Sequence, residues 1–316
     1  MQIEAELARL SPDRDTILTV GVFDGVHLGH KYLLSQLRER AKEEGWMSGV
    51  VTFRQHPQAV LSPQTTLPYL TDLAHRTRLL EDEGIEAIVA LSFTDELVKL
   101  SYRQFASLLK KYLRMRGLVI GPDFALGKNR EGDAETLPAL GQEMGFSLTV
   151  IPPLVIDGEV VSSTAIRDAL TKGDIKKVAK MTGRPFSLKG RVIPGAGRGI
   201  TLGFPTANLE INPEQALPAD GVYASRVYIE SKARPSVTNI GQRPTFGSSQ
   251  KTVEVYILDY SQDLYQKELR IDIIERLRDE KRFSDAEALK KQIAEDVKQV
   301  KAILNSQNRS QVGVKR

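Results

Sequence analysis

Two histidines stand three residues apart in GVFDGVHLGH, positions 21 to 30, directly after the apolar run TILTV. Glycines beside them let a ligand approach the backbone, and free N–H groups at a helix start bind anions. His27 and His30 could therefore donate hydrogen bonds to phosphate oxygens and stabilise charge in a transfer reaction. A packed turn is one alternative. A zinc site with His56 as third ligand is another, although the H-E-x-x-H pattern is absent.

The stretch VSSTAIRDAL, positions 161 to 170, has the residue types of a second phosphate site. One of its hydroxyl groups can cap the helix that follows while neighbouring N–H groups stay available to a phosphate. Arg167 can hold the same anion in a fork. Taken alone, such a pattern is more often only a capped helix.

A third candidate lies in GRVIPGAGRGITLGFPTANLEI. Gly195, Gly197 and Gly199 can form an anion-binding loop, although their spacing fits neither a Rossmann fingerprint nor a P-loop. Thr206 and Asn208 are two residues apart and would share one face of a strand. Their oxygens are hard ligands that suit Mg²⁺. A Pro-Thr turn with Asx capping is the alternative.

Glu254 is a single acid among apolar neighbours in KTVEVYILDY. An unpaired buried carboxylate would be costly. A ligand or metal partner would resolve that cost, and so would solvent exposure of alternate residues. The sequence favours neither explanation over the other.

Composition narrows the class of protein. The chain has 316 residues, 44 basic against 40 acidic side chains, a net charge of +4 and no cysteine. The mildly basic balance suits a polyanionic ligand such as a nucleotide and is weak support for nucleic-acid binding. Disulfides, thiolate zinc sites and cysteine nucleophiles are excluded. No signal peptide and no membrane-spanning run is apparent. We expect a cytoplasmic protein with no nucleic-acid or membrane partner; the sequence leaves its oligomeric state open.

From residue 16 to about 180, short apolar runs alternate with helical patterns. This rhythm predicts a parallel sheet with right-handed crossovers, whose ligands bind beyond the carboxyl ends of the strands, where GVFDGVHLGH lies. The patterns predict a helix that ends at Gly45, a helix over 101–117 and a strand over 146–156.

Beyond residue 184, strand patterns divided by Gly, Pro and Asn predict a small antiparallel β-barrel or Greek key. A C-terminal helix follows, with Ser284 as N-cap and Glu287 at the capping-box position. The predicted architecture is an α/β Rossmann-like domain with a parallel sheet, residues 1–184, followed by a β-barrel domain with a C-terminal helix, residues 185–316.

GVFDGVHLGH and VSSTAIR together resemble the adenylyltransferase module of bacterial bifunctional riboflavin kinase/FMN adenylyltransferases, or FAD synthetases, of the HxGH nucleotidyltransferase superfamily. TFRQHP resembles the family's histidine-proline turn, with Gln55 where proline is usual. GPDFALG resembles its flavin- and nucleotide-facing loop, with Asp123 where Asn is frequent and Leu126 where Phe is frequent. GAGRGITLGFPTAN, GVYA, NIGQRPTF, VEVYILD and DLYQKELRIDIIERLRDEKRF occur in the order and spacing of the riboflavin kinase module.

For the N-terminal domain, the resemblance implies that FMN and ATP react to give FAD and pyrophosphate. His27 and His30 would stabilise the transition state at the α-phosphate. Asp123 and Phe124 would contact the flavin. The residues implied to bind ATP and its phosphates are Gly21, Phe23, Asp24, Gly25, His56, Ser163, Thr164 and Arg167.

For the C-terminal domain, the resemblance implies transfer of the ATP γ-phosphoryl group to the 5′-hydroxyl of riboflavin. The residues implied are the general base Glu254, the Mg²⁺ and phosphate ligands Thr206 and Asn208, and the nucleotide-covering glycines Gly195, Gly197 and Gly199. Arg278 would lie near the flavin, or form an exposed salt bridge instead.

Two other functions compete with this interpretation. An aminoacyl-tRNA synthetase-like enzyme also carries an HxGH signature, and KMTGR at 180–184 is similar to a lysine-methionine-serine motif. The KMTGR segment lacks the usual second lysine, and the basic residues of the chain form no continuous stripe that would bind tRNA. A flavin-binding sensor or carrier on the same scaffold is the second alternative, but a carrier has no use for a base such as Glu254.

Overall fold

The computed structural model describes residues 2–62, 64, 67–195, 197–242 and 251–313. The chain divides into two units, Met1–Ala165 and Ile166–Arg316. Each unit is described by itself. The domain boundary at 184/185 stays a prediction.

The first unit is built from strands and helices in alternation. Its strands are β1 (Thr16–Val20), β2 (Met47–Phe53), β3 (Ala87–Leu91), β4 (Met115–Ile120), β5 (Ala125–Leu126), β6 (Gly132–Asp133), β7 (Ser147–Val150), β8 (Val155–Ile156) and β9 (Glu159–Val160). Its helices are α1 (Gln2–Ala8), α2 (Leu28–Glu44), α3 (Pro57–Leu61), α4 (Leu73–Asp82), α5 (Asp95–Lys99), α6 (Tyr102–Leu113) and α7 (Leu137–Met144), with a 3₁₀ turn at Lys128–Arg130. Helix α8 (Ser163–Thr171) begins in the first unit and continues into the second.

Five strands form a parallel sheet in the order β3-β2-β1-β4-β7. The direction of winding reverses between β1 and β4, so the loops that follow these two strands flank a topological switch point. Ile17 and Leu18 of β1 belong to separate apolar clusters, since successive side chains point to opposite faces of a sheet. The predicted parallel sheet is confirmed, and GVFDGVHLGH lies at its switch point.

Two predicted elements of this unit differ from the structure. Helix α6 ends at Leu113 because Arg114 is left-handed (φ 51°), and β4 already begins at Met115. The predicted helix over 101–117 was therefore too long. The predicted strand over 146–156 is interrupted after Val150, at the pair of prolines that cannot donate to a ladder, and the chain then turns into the β8–β9 hairpin. The predicted helix end at Gly45 is confirmed.

The second unit holds a closed barrel with the order β10-β11-β14-β13-β12-β15, in which the neighbouring strands are antiparallel. Its strands are β10 (Phe186–Ile193), β11 (Thr206–Ile211), β12 (Gly221–Ile229), β13 (Lys232–Gln242), β14 (Lys251–Ile257) and β15 (Glu268–Arg278). Its further helices are α9 (Ile175–Thr182), α10 (Arg198–Thr201) and α11 (Ala286–Gly313). The predicted barrel and C-terminal helix are confirmed.

Helix α11 covers part of the outer face of the barrel, where Val300 and Leu304 share an apolar cluster with Val237 and Ile274. The predicted cap of this helix was wrong by one residue. Asp285 accepts a hydrogen bond from the N–H of Ala288 at 2.8 Å. The Ser284 hydroxyl donates to Asp285 instead, because a carboxylate is a stronger acceptor at a helix N-terminus than a hydroxyl.

Candidate functional site

The histidine pair lies at the start of α2. The helix begins at Leu28, and His27 is its N-cap, whose Nδ1 accepts a hydrogen bond from the N–H of His30 at 3.2 Å. The two imidazole rings stack at 3.6 Å between centroids, with 17° between their planes. His27 is buried and His30 is half-buried. The structure thus brings both predicted catalytic histidines to a helix N-terminus that follows the central strand β1.

The backbone of this loop is strained. Phe23 has a φ of 54° and Val26 a φ of 34°, and both side chains are buried. Such left-handed conformations are costly for residues other than glycine. A Cβ atom at Gly29 would lie 2.8 Å from the carbonyl oxygen of Val161, so only glycine fits there. The loop is therefore fixed in one shape by close packing.

The buried side chain of Asp24 links this loop to residues 70 and 71. Its carboxylate is buried and accepts hydrogen bonds from the N–H groups of Leu70, at 2.9 Å, and Thr71, at 3.0 Å. The carbonyl of Asp24 accepts a hydrogen bond from the Ser163 hydroxyl at 2.8 Å. A contact of Asp24 with ATP stays a prediction, and the geometry gives its carboxylate a positioning role.

The start of α8 resembles the predicted phosphate site in part. The Ser162 hydroxyl accepts a hydrogen bond from the N–H of Ala165 at 3.2 Å, and the helix begins at Ser163. Thr164 is exposed. The Ser163 hydroxyl joins this helix to the histidine loop through its hydrogen bond to the Asp24 carbonyl. Arg167, half-buried on the same helix, falls in the second unit.

The other predicted residues of the first unit follow neighbouring strands. His56, after β2, caps α3 by accepting a hydrogen bond from the N–H of Gln58 at 3.2 Å. Asp123 and Phe124 lie in the loop after β4; the first is exposed and the second half-buried. Among the residues that the structure describes, no three His, Cys, Asp or Glu side chains form a group that could hold a metal ion.

Three side chains that the sequence did not single out contact the same region. Arg76 is buried, and its guanidinium donates to the carbonyls of Val22, at 2.9 Å, and Phe53, at 2.5 Å. The Thr52 hydroxyl donates to the Val22 carbonyl at 3.0 Å. The Thr71 hydroxyl accepts a hydrogen bond from the N–H of Gly25 at 3.0 Å. Burial lowers the pKa of Arg76. No sequence signal could have found them, since their partners are backbone groups from distant segments.

The predicted kinase residues form a row on the barrel wall. Asn208 of β11 and Asn239 of β13 are the register partners of Glu254 on either side of β14, and Thr206 is the partner of Tyr256. Direct partners in an antiparallel pair point to the same face. Thr206, Asn208 and Glu254 therefore share one face of the sheet.

The two explanations for Glu254 can now be compared. Its neighbours Val253 and Val255 are buried, whereas Glu254 itself is half-buried. Alternation along β14 therefore places the carboxylate on the outer face of the barrel. There it lies beside polar partners and within reach of solvent.

The glycine-rich loop covers the end of this row. A Cβ atom at Gly195 would collide with the side-chain amide of Asn208, and one at Gly199 would collide with the carbonyl of Phe204. Gly197 has a φ of 69° and precedes α10. Close approach to neighbouring atoms thus explains the glycines at 195 and 199, and the left-handed backbone explains the glycine at 197. Of the motif NIGQRPTF, residues 243–246 lie outside the described residues.

A cavity of about 310 Å³ adjoins Thr206 in the second unit. Its lining is mainly apolar and includes Val192, Val255 and Tyr265. Small-molecule sites are commonly lined by apolar side chains with a few polar groups that fix the orientation of the ligand. The cavity could accept the base of a nucleotide whose phosphates lie near Thr206.

Arg278 forms an ion pair with Asp296 of helix α11. Its guanidinium donates to the carboxylate of Asp296 through Nε at 3.0 Å and Nη2 at 2.7 Å, and both side chains are largely buried. The salt bridge considered for this residue is therefore present but not exposed. A contact of Arg278 with flavin stays a prediction.

The fold and these sites define a class of protein. The first unit places two stacked histidines at a helix N-terminus beside the switch point of a parallel sheet, and the second places Thr206, Asn208 and Glu254 on one face of a barrel wall. No helix among the described residues is long and apolar enough to cross a membrane.

Comparisons with known proteins identify the family. Residues 10–165 match the family model for FAD synthetase and residues 182–304 that for riboflavin kinase. The bifunctional riboflavin kinase/FMN adenylyltransferase of Pseudomonas fluorescens is 38% identical over 96% of this chain and 98% of its own length. The protein of that description from Escherichia coli (strain K12) is 36% identical over 90% and 92%. The chain belongs to the family of bifunctional riboflavin kinase/FMN adenylyltransferases.

A solved structure has a similar fold over most of this chain. A crystal structure described as a macrolide-efflux protein from Streptococcus pneumoniae has a TM-score of 0.88 and 28% identity. The match covers 95% of this chain and 97% of that chain.

Proposed function

We propose that this chain converts riboflavin to FAD in two ATP-dependent steps. The second unit transfers the γ-phosphoryl group of ATP to riboflavin and releases ADP and FMN. The first unit then joins FMN to the AMP part of a second ATP and releases pyrophosphate. The observation that supports the proposal is that each matched family domain brings its own polar side chains together, His27 with His30 in one and Thr206, Asn208 and Glu254 in the other. We assign both sets to the handling of phosphate groups.

In the kinase step, the 5′-hydroxyl oxygen of riboflavin attacks the γ-phosphorus as the bond to ADP breaks. The hydroxyl proton must leave as the new bond forms. The Glu254 carboxylate, half-buried beside Asn208 and Asn239, accepts that proton as general base. The glycine loop over Asn208 covers the nucleotide, and the cavity beside Thr206 takes its base.

Mg²⁺ enters this proposal together with ATP. Thr206 and Asn208 offer a hydroxyl and an amide oxygen on one face of β11, which fits an ion that prefers hard oxygen ligands and keeps water and phosphate oxygens in its shell. Thr206 and Asn208 would hold the ion there, and it would offset negative charge on the phosphates. The roles of the two side chains are to orient the nucleotide and to hold that ion.

In the adenylyl step, a phosphate oxygen of FMN attacks the α-phosphorus of ATP and pyrophosphate leaves. FMN's phosphate is already ionised near neutral pH, so this step needs no general base. Catalysis then consists of positioning and charge stabilisation. His27 and His30, at the positive end of α2, stabilise the charge that develops on the α-phosphate. Ser163, Thr164 and Arg167 bind the leaving phosphates.

The remaining assignments support the same scheme. We propose that Gly21, Phe23, Gly25 and His56 shape the ATP side of the site and that Asp123, Phe124 and Arg278 lie near flavin. The cysteine-free composition suits a reducing compartment. We keep the cytoplasm as the expected location.

A chromatographic flavin assay tests the proposal. Purified protein is incubated with riboflavin, Mg²⁺ and ATP, and the flavins are separated over time. We expect FMN to appear first and FAD to accumulate afterwards, with one pyrophosphate per FAD. A flavin carrier would return riboflavin unchanged, and this result would end the proposal. A shift of tRNA mobility at physiological salt would instead favour the synthetase-like alternative.

A further inference from the structure

We propose that Thr52, Thr71 and Arg76 form a buried brace that holds the loop of residues 21–27 in its strained shape and so positions His27 and His30 for adenylyl transfer. This inference rests on the function proposed for the first unit. None of the three side chains needs to touch a substrate. They are positioning residues that act through the histidine loop.

The brace contacts the loop at Val22, Asp24 and Gly25. The Val22 carbonyl accepts hydrogen bonds from Thr52, at 3.0 Å, and Arg76, at 2.9 Å. The Gly25 N–H donates to the Thr71 hydroxyl at 3.0 Å, and that hydroxyl lies 3.3 Å from the Asp24 carboxylate, to which it donates. Arg76 also joins this loop to the end of β2 through the Phe53 carbonyl.

Strain explains why such a brace is needed. Phe23 and Val26 adopt positive φ angles, which are unfavourable for residues other than glycine. Conformations of this kind persist only where the surroundings over-determine them. The buried hydrogen bonds of the brace supply that constraint. An exposed loop of the same sequence would relax and move the N-terminus of α2.

The geometry of Arg76 suits a brace rather than a ligand. Its fork reaches two carbonyls at the carboxyl ends of adjacent parallel strands, which a lysine ammonium cannot reproduce. The pair fixes the distance between the loop that carries His27 and the segment that carries His56. A displacement of about 1 Å at such a site can cost a hundredfold in rate.

The first experiment compares Thr71→Val with Thr16→Val in the full-length protein. Both side chains are buried, and the Thr16 hydroxyl also donates to a carbonyl, that of Leu113 at 2.7 Å, but at the opposite end of β1. We expect kcat for FAD formation from FMN to fall about tenfold or more in Thr71→Val, with KM changed little. Thr71→Ser should restore it. Thr16→Val should keep the wild-type kcat.

Riboflavin phosphorylation by the same molecules serves as an internal standard and should stay unchanged in both variants. Thermal unfolding is measured alongside. An equal loss of FAD formation in Thr71→Val and Thr16→Val, in step with stability, would overturn the brace. Wild-type-like FAD formation in Thr71→Val would do the same.

The second experiment keeps the proposal testable should Thr71→Val fold poorly. Arg76→Lys and Arg76→Met are made alone and together with His30→Ala. We expect Arg76→Met to lose more activity than Arg76→Lys, and either loss to shrink to less than about threefold in the His30→Ala background. Full additivity would show that Arg76 does not act through the histidines. A wild-type protein that makes no FAD from FMN would refute the proposed function itself.

Discussion

The two phosphate-handling loops of this chain are built in opposite ways. The histidine loop of the first unit is almost wholly buried, carries non-glycine residues at positive φ and leads into the 17-residue helix α2. The glycine loop of the second unit is largely exposed and leads into the four-residue helix α10, where Ile200 is 67% accessible. One loop is preorganised by its packing, and the other is shaped by three glycines over Asn208.

The difference follows the chemistry that we propose for each loop. A phosphate nucleophile arrives already charged, so the first unit needs fixed donors placed where new charge develops. A hydroxyl nucleophile must lose a proton, so the second unit needs a carboxylate within reach of solvent and substrate. A rigid loop with histidines and an open loop beside Glu254 are the corresponding solutions.

The largest expected effect is that of a substitution at Glu254, which should lower the activity of the second unit only. Glu254→Gln keeps the size of the side chain and removes the base, so riboflavin phosphorylation should fall about a thousandfold. FAD formation from added FMN should stay at the wild-type rate, and both rates are read by flavin chromatography. Glu268→Gln, an exposed carboxylate on β15, is the matched control. A parallel loss of both activities would show that the comparison assigns the base to the wrong reaction.

His30→Ala should give the reverse pattern with a smaller effect. Loss of one preorganised donor should lower FAD formation from FMN about a hundredfold. Riboflavin phosphorylation should be unaffected. His75→Ala, on α4, removes a histidine of the same unit to which no role is assigned, and should leave both rates unchanged. Unaltered FAD formation in His30→Ala would return the histidine pair to a packing role.

The buried arginines of the two units have different partners, and this difference can be tested by measuring protein stability. Arg76 donates to neutral carbonyls, whereas Arg278 depends on the carboxylate of Asp296. Asp296→Asn leaves a buried guanidinium without its counter-charge and should lower the free energy of unfolding of the second unit by about 3 kcal/mol. Urea unfolding followed by kinase activity measures this. Fluorescence of Trp46, the single tryptophan, reports on the first unit and should not shift.

A matched control for that prediction lies on the same helix. Glu295 pairs with Lys298 at the surface, and both side chains are exposed. Glu295→Gln should change the unfolding free energy by less than about 1 kcal/mol. Equal effects of the two substitutions would contradict a structural role for the Arg278 pair.

The smallest effect tests the glycine loop. Gly195→Ala places a methyl group against the Asn208 amide, so the KM for ATP in the kinase reaction should rise about tenfold. Among the described residues, no atom lies within 4 Å of a Cβ placed at Gly197, but the φ of 69° is strained for alanine. Gly197→Ala should therefore raise the KM for ATP less. Steady-state kinetics at varied ATP decide the order, and the reverse order would show that contact with Asn208 does not define the loop.

Sequence patterns predicted both folds because their periods differ, with helices and strands in alternation before residue 184 and strand patterns after it. The registers that bring Glu254 opposite Asn208 were not readable, since the pairing of strands is a tertiary choice. The same limit explains the helix predicted through Gly117. Local pattern continues past Leu113, and only the sheet fixes where β4 begins.

The site was predictable where chemistry repeats in sequence and not where it depends on backbone partners. His27, His30, Thr206, Asn208 and Glu254 stand in motifs that resemble a family. Arg76 and Thr71 contact carbonyl and amide groups of distant segments, which no residue type announces. Asp24 shows the mixed case, because its motif position pointed to ATP while its carboxylate binds Leu70 and Thr71.

Complementation between two inactive variants tests the central claim most directly. Glu254→Gln and His30→Ala are supplied with riboflavin, Mg²⁺ and ATP, first separately and then mixed. We predict that the first alone leaves riboflavin, that the second alone stops at FMN, and that the mixture makes FAD. A mixture that makes no FAD while each variant is folded would contradict two self-sufficient sites on one chain.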